Sequence, residues 1–291
     1  MKVKLVWWLG LVCAFFSVQP WAAPQDTPPF YQVEYQGERA YLLGTIHVGK
    51  ADFYPFANQI EASLRHSKSL VLEADVSEVN ASALLGEYGF TPLKMDRVTE
   101  KAMAKYCQPR MQLCTALKPY SPWLQAVQLE MMQFSALGYK PQWGVETTLV
   151  SRLQGKPIYE LESMEFQFKM LASFDEAVQW SMLRDTIKAK DEELEDMVTA
   201  WRTGDQNRMQ AMLEEQMVTD EQQRLTDQLI FKRNAGMAER IQQLFKAPKT
   251  EHPMFIAVGS LHMVGDKSVQ AFLRKQGMKL TDCWQAQCQF Q

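Results

Sequence analysis

Hydrophobic positions along the chain switch between two periods, and the switches predict an α/β protein. Tyr31 to Tyr35 and Ala40 to Thr45 are rich in β-formers and separated by Gln36, Gly37 and Glu38, which reads as a hairpin. A helix is predicted over Pro55 to Arg65. Ser69 to Glu73 is an apolar run closed by an acid, the pattern of a strand buried in the middle of a sheet. Helix formers dominate from Ala81 to about Leu137, with breaks at Pro92, near Pro109 and at Pro119 to Pro122. Pro157 to Leu161 returns to strand.

From Ser163 to Lys246 apolar residues recur at three- and four-residue spacing, among them Met182, Ile187, Leu194, Met197 and Trp201, so helices are predicted with a break at Gly204 and Asp205. The many methionines here read as filling of an irregular core. Met254 to Gly259, a helix over Lys267 to Gln276 stopped by Gly277, and Met278 to Trp284 complete a strand-helix-strand unit. The predicted architecture is a mixed, largely parallel central sheet flanked by helices, with a helical insertion or cap. It forms a single domain over 24–291 whose helix-rich regions lie at about 81–137 and 163–247.

The N-terminus departs from this pattern. Lys2 and Lys4 precede an uncharged run from Leu5 to Val18, then Pro20, Trp21, Ala22 and Ala23, the order of a signal peptide over 1–23. That run is shorter than the roughly 20 residues a membrane-spanning helix needs, so export with cleavage near Ala22 or Ala23 is expected, with no integral membrane segment afterwards. A lipid anchor at Cys13 is disfavoured because Val12 stands where a small residue is wanted. The expected location is periplasmic or secreted.

Cysteine usage points the same way. Beyond the leader, Cys107 with Cys114 and Cys283 with Cys288 form two local pairs, and disulfides within each pair are expected in an oxidising compartment, although four cysteines allow three pairings. Neither pair has the Cys-x-x-Cys spacing common in structural zinc sites. The 31 Lys and Arg, less Lys2 and Lys4, face 34 acids, and no basic tract stands out, so nucleic acid is excluded as a partner.

Candidate chemistry begins with the histidines, of which there are 4. Two share one local frame: Tyr41-Leu-Leu-Gly-Thr-Ile-His47 and Ile256-Ala-Val-Gly-Ser-Leu-His262, each an apolar strand, a glycine, a hydroxyl residue, an aliphatic residue and a histidine. Glycine permits a sharp turn or a close approach, the hydroxyl can hold the turn, and the histidine then leaves the strand at its carboxyl end, where open α/β sheets bind ligands. His66, near a helix C-terminus, and His252, beside Glu251 and Pro253, read as bystanders.

Acids are needed as partners. Glu73 leads because an acid closing a buried strand must be paired, hydrogen-bonded or protonated. Asp75 is a possible assistant or a cap. Glu160 and Glu162 flank the end of the next strand on one face, and Glu162 is preferred, with a helix N-terminal acid as its structural alternative.

Together, Leu-Leu-Gly-Thr-Ile-His47, Leu-Val-Leu-Glu73-Ala-Asp75, Gly144-Val-Glu146, Leu161-Glu162-Ser-Met-Glu165-Phe-Gln167, Trp201-x-x-Gly204-Asp205, Arg233-Asn234 and Val258-Gly-Ser-Leu-His262 resemble the TraB/GumN family, in order from about residue 31 to 284. The resemblance implies kinship with the TIKI proteins, described as metal-dependent proteases with paired Gly-x-x-His motifs, and remote similarity to erythromycin-esterase-like and haem-binding ChaN-like folds. Carried over by position, His47 and His262 are the paired histidines, Glu73 and Glu162 the acids, and Arg233 a polar contributor. Glu146 departs from the family's more usual aspartate and is left out of the core site.

The leading expectation is a metal-dependent hydrolase acting on peptides or proteins. His47, His262 and Glu73 would hold a divalent ion (manganese, cobalt or zinc), with Glu73 and Glu162 as the catalytic acids and Arg233 at the developing oxyanion. Alternatives are a metal-independent esterase-like hydrolase, a non-catalytic protein that sequesters a peptide or signal, and a haem binder.

Overall fold

The computed structural model describes residues 26–75, 81–153 and 155–290; the expected signal segment lies outside them. The strands are β1 (Phe30–Tyr35), β2 (Glu38–Thr45), β3 (Ser69–Leu72), β4 (Ile158–Glu160), β5 (Met254–Gly259) and β6 (Lys279–Asp282). They form one sheet in the order β4-β3-β5-β2-β1-β6. The expected hairpin is the antiparallel β1–β2 pair, with Gln36 and Gly37 at positive φ in the turn. β6 adds antiparallel to β1, while β2, β5, β3 and β4 run parallel. A mixed, largely parallel α/β sheet is therefore present.

Period-two alternation serves both faces, because a parallel sheet must be covered on each side. Tyr41, Leu43, Leu72, Phe255 and Ala257 point into one core, which includes Ile60 of helix Asn58–His66, Val145 and Leu149 of helix Val145–Arg152, and Trp201 of helix Asp191–Thr203. Ala40, Leu42, Val71, Ile256 and Val258 point into the other, against Met237, Ala238 and Ile241 of helix Lys232–Lys246 and Leu273 of helix Val269–Lys275. Each buried Leu, Ile or Phe contributes roughly 1.5–3 kcal/mol against exposure. β3 is buried at all four positions and sits between β4 and β5, the interior place its unbroken apolar run predicts.

The first helix-rich region divides at the expected prolines into Ala81–Tyr88, Arg97–Cys107, Met111–Leu117 and Pro122–Ala136. Its own cluster, Met103, Leu117, Leu129, Trp180 and Leu183, joins it to helix Glu176–Thr186. Both expected disulfides are formed, Cys107–Cys114 within this region and Cys283–Cys288 near the C-terminal end. Among the described residues no helix is long and apolar enough to cross a membrane.

Candidate active site at the carboxyl edge of the sheet

Strand register assembles the site. Gly44 lies opposite Val258 and Thr45 opposite Gly259, so the two Gly-x-x-His segments leave adjacent parallel strands one residue out of step. On the other side of β5, Leu72 pairs with Ala257, and beyond it with Glu160. Glu162, Glu73, His262 and His47 thus lie just past the carboxyl ends of β4, β3, β5 and β2, four neighbours along one sheet edge. Binding at that edge is the rule for open α/β sheets.

Both motif glycines sit where a side chain would be crowded. Neither Gly44 nor Gly259 has positive φ. A Cβ on Gly44 would crowd the Met263 sulfur, the Pro29 side chain and the Ser260 hydroxyl, and one on Gly259 would crowd the Glu73 carboxylate. Of the two outcomes a glycine permits, close approach is the one used here. The hydroxyls diverge in role: Ser260 donates to the Thr45 carbonyl at 2.7 Å, tying one motif to the other, whereas Thr45 donates to Glu146 at 2.5 Å.

The β5 motif is buried. His262 is 4% exposed, and its Nδ1 lies 2.5 Å from the Asn234 Oδ1. The Asn234 amide nitrogen donates to the Lys267 carbonyl at 2.7 Å, so its oxygen must face the ring and the ring must donate. This assigns the neutral proton to Nδ1 and leaves Nε2 to face Glu73 Oε1 at 3.9 Å. Burial lowers the His262 pKa to about 4 against the pull of Glu73.

Glu73 is held from two sides. Its Oε1 accepts the Gly259 N–H at 2.6 Å and its Oε2 accepts from Arg233 at 2.7 Å. Burial pushes the carboxyl up, but the charges of His262, Arg233 and His47, with the Gly259 amide, outweigh it and bring it to about 2. At physiological pH His262 is neutral, and Arg233, the protonated His47 and the Gly259 amide hold Glu73 ionised. Arg233 also donates to Glu162 from Nε and Nη2, at 3.0 and 2.7 Å, and from Nη1 to the Leu229 carbonyl at 2.9 Å. Leu229 lies in the π-helical turn Asp227–Phe231, an irregularity that recurs near functional sites. Glu162 therefore helps to position Arg233, which in turn holds Glu73. Gln167 further donates to Glu162 at 3.1 Å.

The β2 motif is open. The His47 side chain is 71% exposed, and its Nδ1 pairs with Glu146 at 3.0 Å. The Glu146 charge raises His47 to about 9, and in return Glu146 stays below the usual carboxylate range despite its burial. Glu146, set aside on the sequence because of its extra methylene, is thus a direct partner of His47. It lies in the first turn of helix Val145–Arg152, whose Val145 N–H bonds the Ile46 carbonyl at 3.0 Å and fixes that helix to the motif. Glu130, from helix Pro122–Ala136, had no sequence signal: its carboxyl lies above the usual carboxylate range, raised by the protein packed around it and drawn partly back by the His47 charge.

Other candidates fall outside this cluster. Glu160 accepts the Asp75 backbone N–H at 2.7 Å. His66 bonds the Ala62 carbonyl within its own helix, and His252 stacks on Phe245.

The sequence pattern of the TraB/PrgY/gumN family matches residues 29–282. This chain belongs to the TraB/PrgY/gumN family. Two relatives called uncharacterized protein YbaP, from Shigella flexneri and from Escherichia coli (strain K12), are each 25% identical over 267 residues, covering 87% of this chain and 96% of the relative. No solved structure matches significantly. TraB/PrgY/gumN membership extends over every strand and every site residue described above.

The donors suit a divalent ion in kind. Each motif histidine has its Nδ1 engaged by an oxygen acceptor, the outer-shell pattern of imidazole ligands that bind through Nε2. The 3.9 Å between His262 Nε2 and Glu73 Oε1 also falls within the span of two ligands each about 2.0–2.2 Å from one ion. Among the described residues, however, no three His, Cys, Asp or Glu groups are gathered tightly enough to hold an ion as they stand.

Proposed function

We propose that this protein is a hydrolase acting on a carbonyl group of a peptide or protein, with His47, His262 and Glu73 at the reacting centre. The observation that carries this reading is the placement of two oriented imidazoles and an ionised carboxylate at the ends of neighbouring strands on the ligand-binding edge of the sheet. A divalent ion (manganese, cobalt or zinc), where bound, would be held by these three side chains and would supply an acidified water and a polarised carbonyl. Asn234 and Glu146 orient the two rings, and Arg233, held by Glu162, keeps Glu73 ionised and in place. The peptide substrate rests on family resemblance, since fold alone does not fix chemistry.

A second reading is favoured by a specific observation: Arg233 already supplies the cation beside Glu73. Here the exposed His47–Glu146 pair works without a metal. As a base His47 must first lose its proton, so this route speeds up as pH rises toward about 9.

The two disulfides and the leader-like N-terminus support a periplasmic or secreted location. The deciding experiment is cleavage of a peptide library by the protein with and without manganese, and after chelation, beside His47→Ala and His262→Ala. Cleavage lost in both variants is expected. Cleavage untouched by both removes the assignment, and cleavage that survives chelation selects the metal-free route.

A further inference from the structure

Beside the reacting centre is a cavity of about 640 Å³, of the size that holds small ligands. Two helices face each other across it. Helix Met164–Ser173 contributes Phe166 and Met170, and helix Lys232–Lys246 contributes Lys232 and Gly236, each pair four residues apart and so on one helical face. Leu161 lines it too, and Glu162 and Arg233 form its polar wall. That wall is shared with the centre, because Arg233 Nη2 lies 2.7 Å from both Glu162 and Glu73.

Two features mark this as a site left vacant by the chain itself. Helix Met164–Ser173 has no buried residue, and Phe166, which with Met170 and Leu161 makes the apolar part of the lining, is 47% exposed. Across from it stands Gly236, well inside a helix where glycine is disfavoured, and a Cβ there would meet nothing within 4 Å. Any larger residue at 236 would project into the open space between the helices.

We propose that this cavity binds a large apolar or aromatic side chain of the peptide substrate, next to the bond presented to Glu73 and His262. The proposal deepens the hydrolase reading and rests on it for the word substrate. The apolar lining of Leu161, Phe166 and Met170 favours such a side chain by burial, and the lining charges are already partnered within the chain, Glu162 with Arg233 and Lys232 with Asp227. Aromatic residues gain most, since they bury the largest area.

The test has a binding arm that needs no catalysis. The full chain, labelled with ¹³C at methionine methyls, is titrated with N-acetyl-phenylalanine amide and with N-acetyl-glycine amide. The Met170 methyl signal is expected to shift with the phenylalanine amide alone, and the shift to vanish in Gly236→Leu. In the cleavage arm, wild-type protein is expected to prefer large apolar residues beside the cut bond by about tenfold or more, and Gly236→Leu to lose that preference while still cutting peptides with small residues there. Should Gly236→Leu fail to fold, Phe166→Ala, at a half-exposed position, serves instead and is expected to weaken the Met170 response. A selective Met170 shift without any cleavage upholds the cavity and overturns the hydrolase reading. Equal responses to both amides, or cleavage indifferent to side-chain size, overturn the cavity.

Discussion

The two Gly-x-x-His segments have nearly the same sequence and end in opposite environments. After β5 the histidine is buried, neutral and fixed by an amide, beside a carboxylate clamped by Arg233. After β2 the histidine is exposed, protonated and paired with a carboxylate of its own. The difference comes from what packs over each strand end. Helix Lys232–Lys246 meets one motif with Arg233 and Asn234, while helix Val145–Arg152 meets the other through Val145 and Glu146 and leaves its ring in the open. One side of the centre is buried and tied by hydrogen bonds, and the other is open to solvent.

The largest expected difference between the two sides is in activity. His47→Ala and His262→Ala should each cut peptide cleavage by about 100-fold or more, the usual scale for losing a positioned acid, base or ligand. A loss confined to one of them would mean that the centre has one histidine. Stability should separate them next. Arg233→Met leaves Glu73 and Glu162 buried without their cation and should cost about 3–5 kcal/mol in a urea titration. Glu146→Gln, on the open side, should cost no more than about 1 kcal/mol. Equal costs would erase the distinction between the two sides.

Titration gives the finest contrast. In metal-free protein, imidazole NMR should find His262 unprotonated until pH falls to about 4 and His47 protonated until pH rises to about 9. The signs for stability follow. His47 has a folded pKa above its unfolded value, so its contribution is complete below about 6.5 and fades as pH rises through about 9. His262 is depressed, so the unfolded chain takes up a proton that the folded one refuses, and stability falls as pH drops from about 6.5 to about 4. The depressed Glu73 adds stability that is present above about 4.5 and lost as pH falls toward about 2. Coincident histidine titrations would contradict the assigned environments.

Much of this was legible in the chain. The hairpin, the interior strand Ser69–Leu72 and the repeated motif all follow from local pattern, and the closing acid of a buried run pointed to Glu73. Strand order did not follow, because pairing β3 and β2 on either side of β5 depends on contacts more than 180 residues apart. Roles were harder to read than membership. Glu162 and Arg233 carry opposite charges 71 residues apart, and only packing shows that they satisfy each other. Glu146 was misjudged because chain length counts only against a fixed backbone, and here helix Val145–Arg152 is anchored at Ile46 so that the longer arm reaches His47. Glu130 stands between Leu129 and Met131 on a helix outside every motif named above, so nothing in the local pattern tied it to His47.

The most direct measurement of the central claim is a double-mutant cycle on peptide cleavage with His47→Ala, His262→Ala and the two combined. If both imidazoles serve one centre, the double variant loses no more activity than the worse single variant, because either loss already disables the unit. If instead the two losses multiply, the histidines act independently and the shared centre is contradicted.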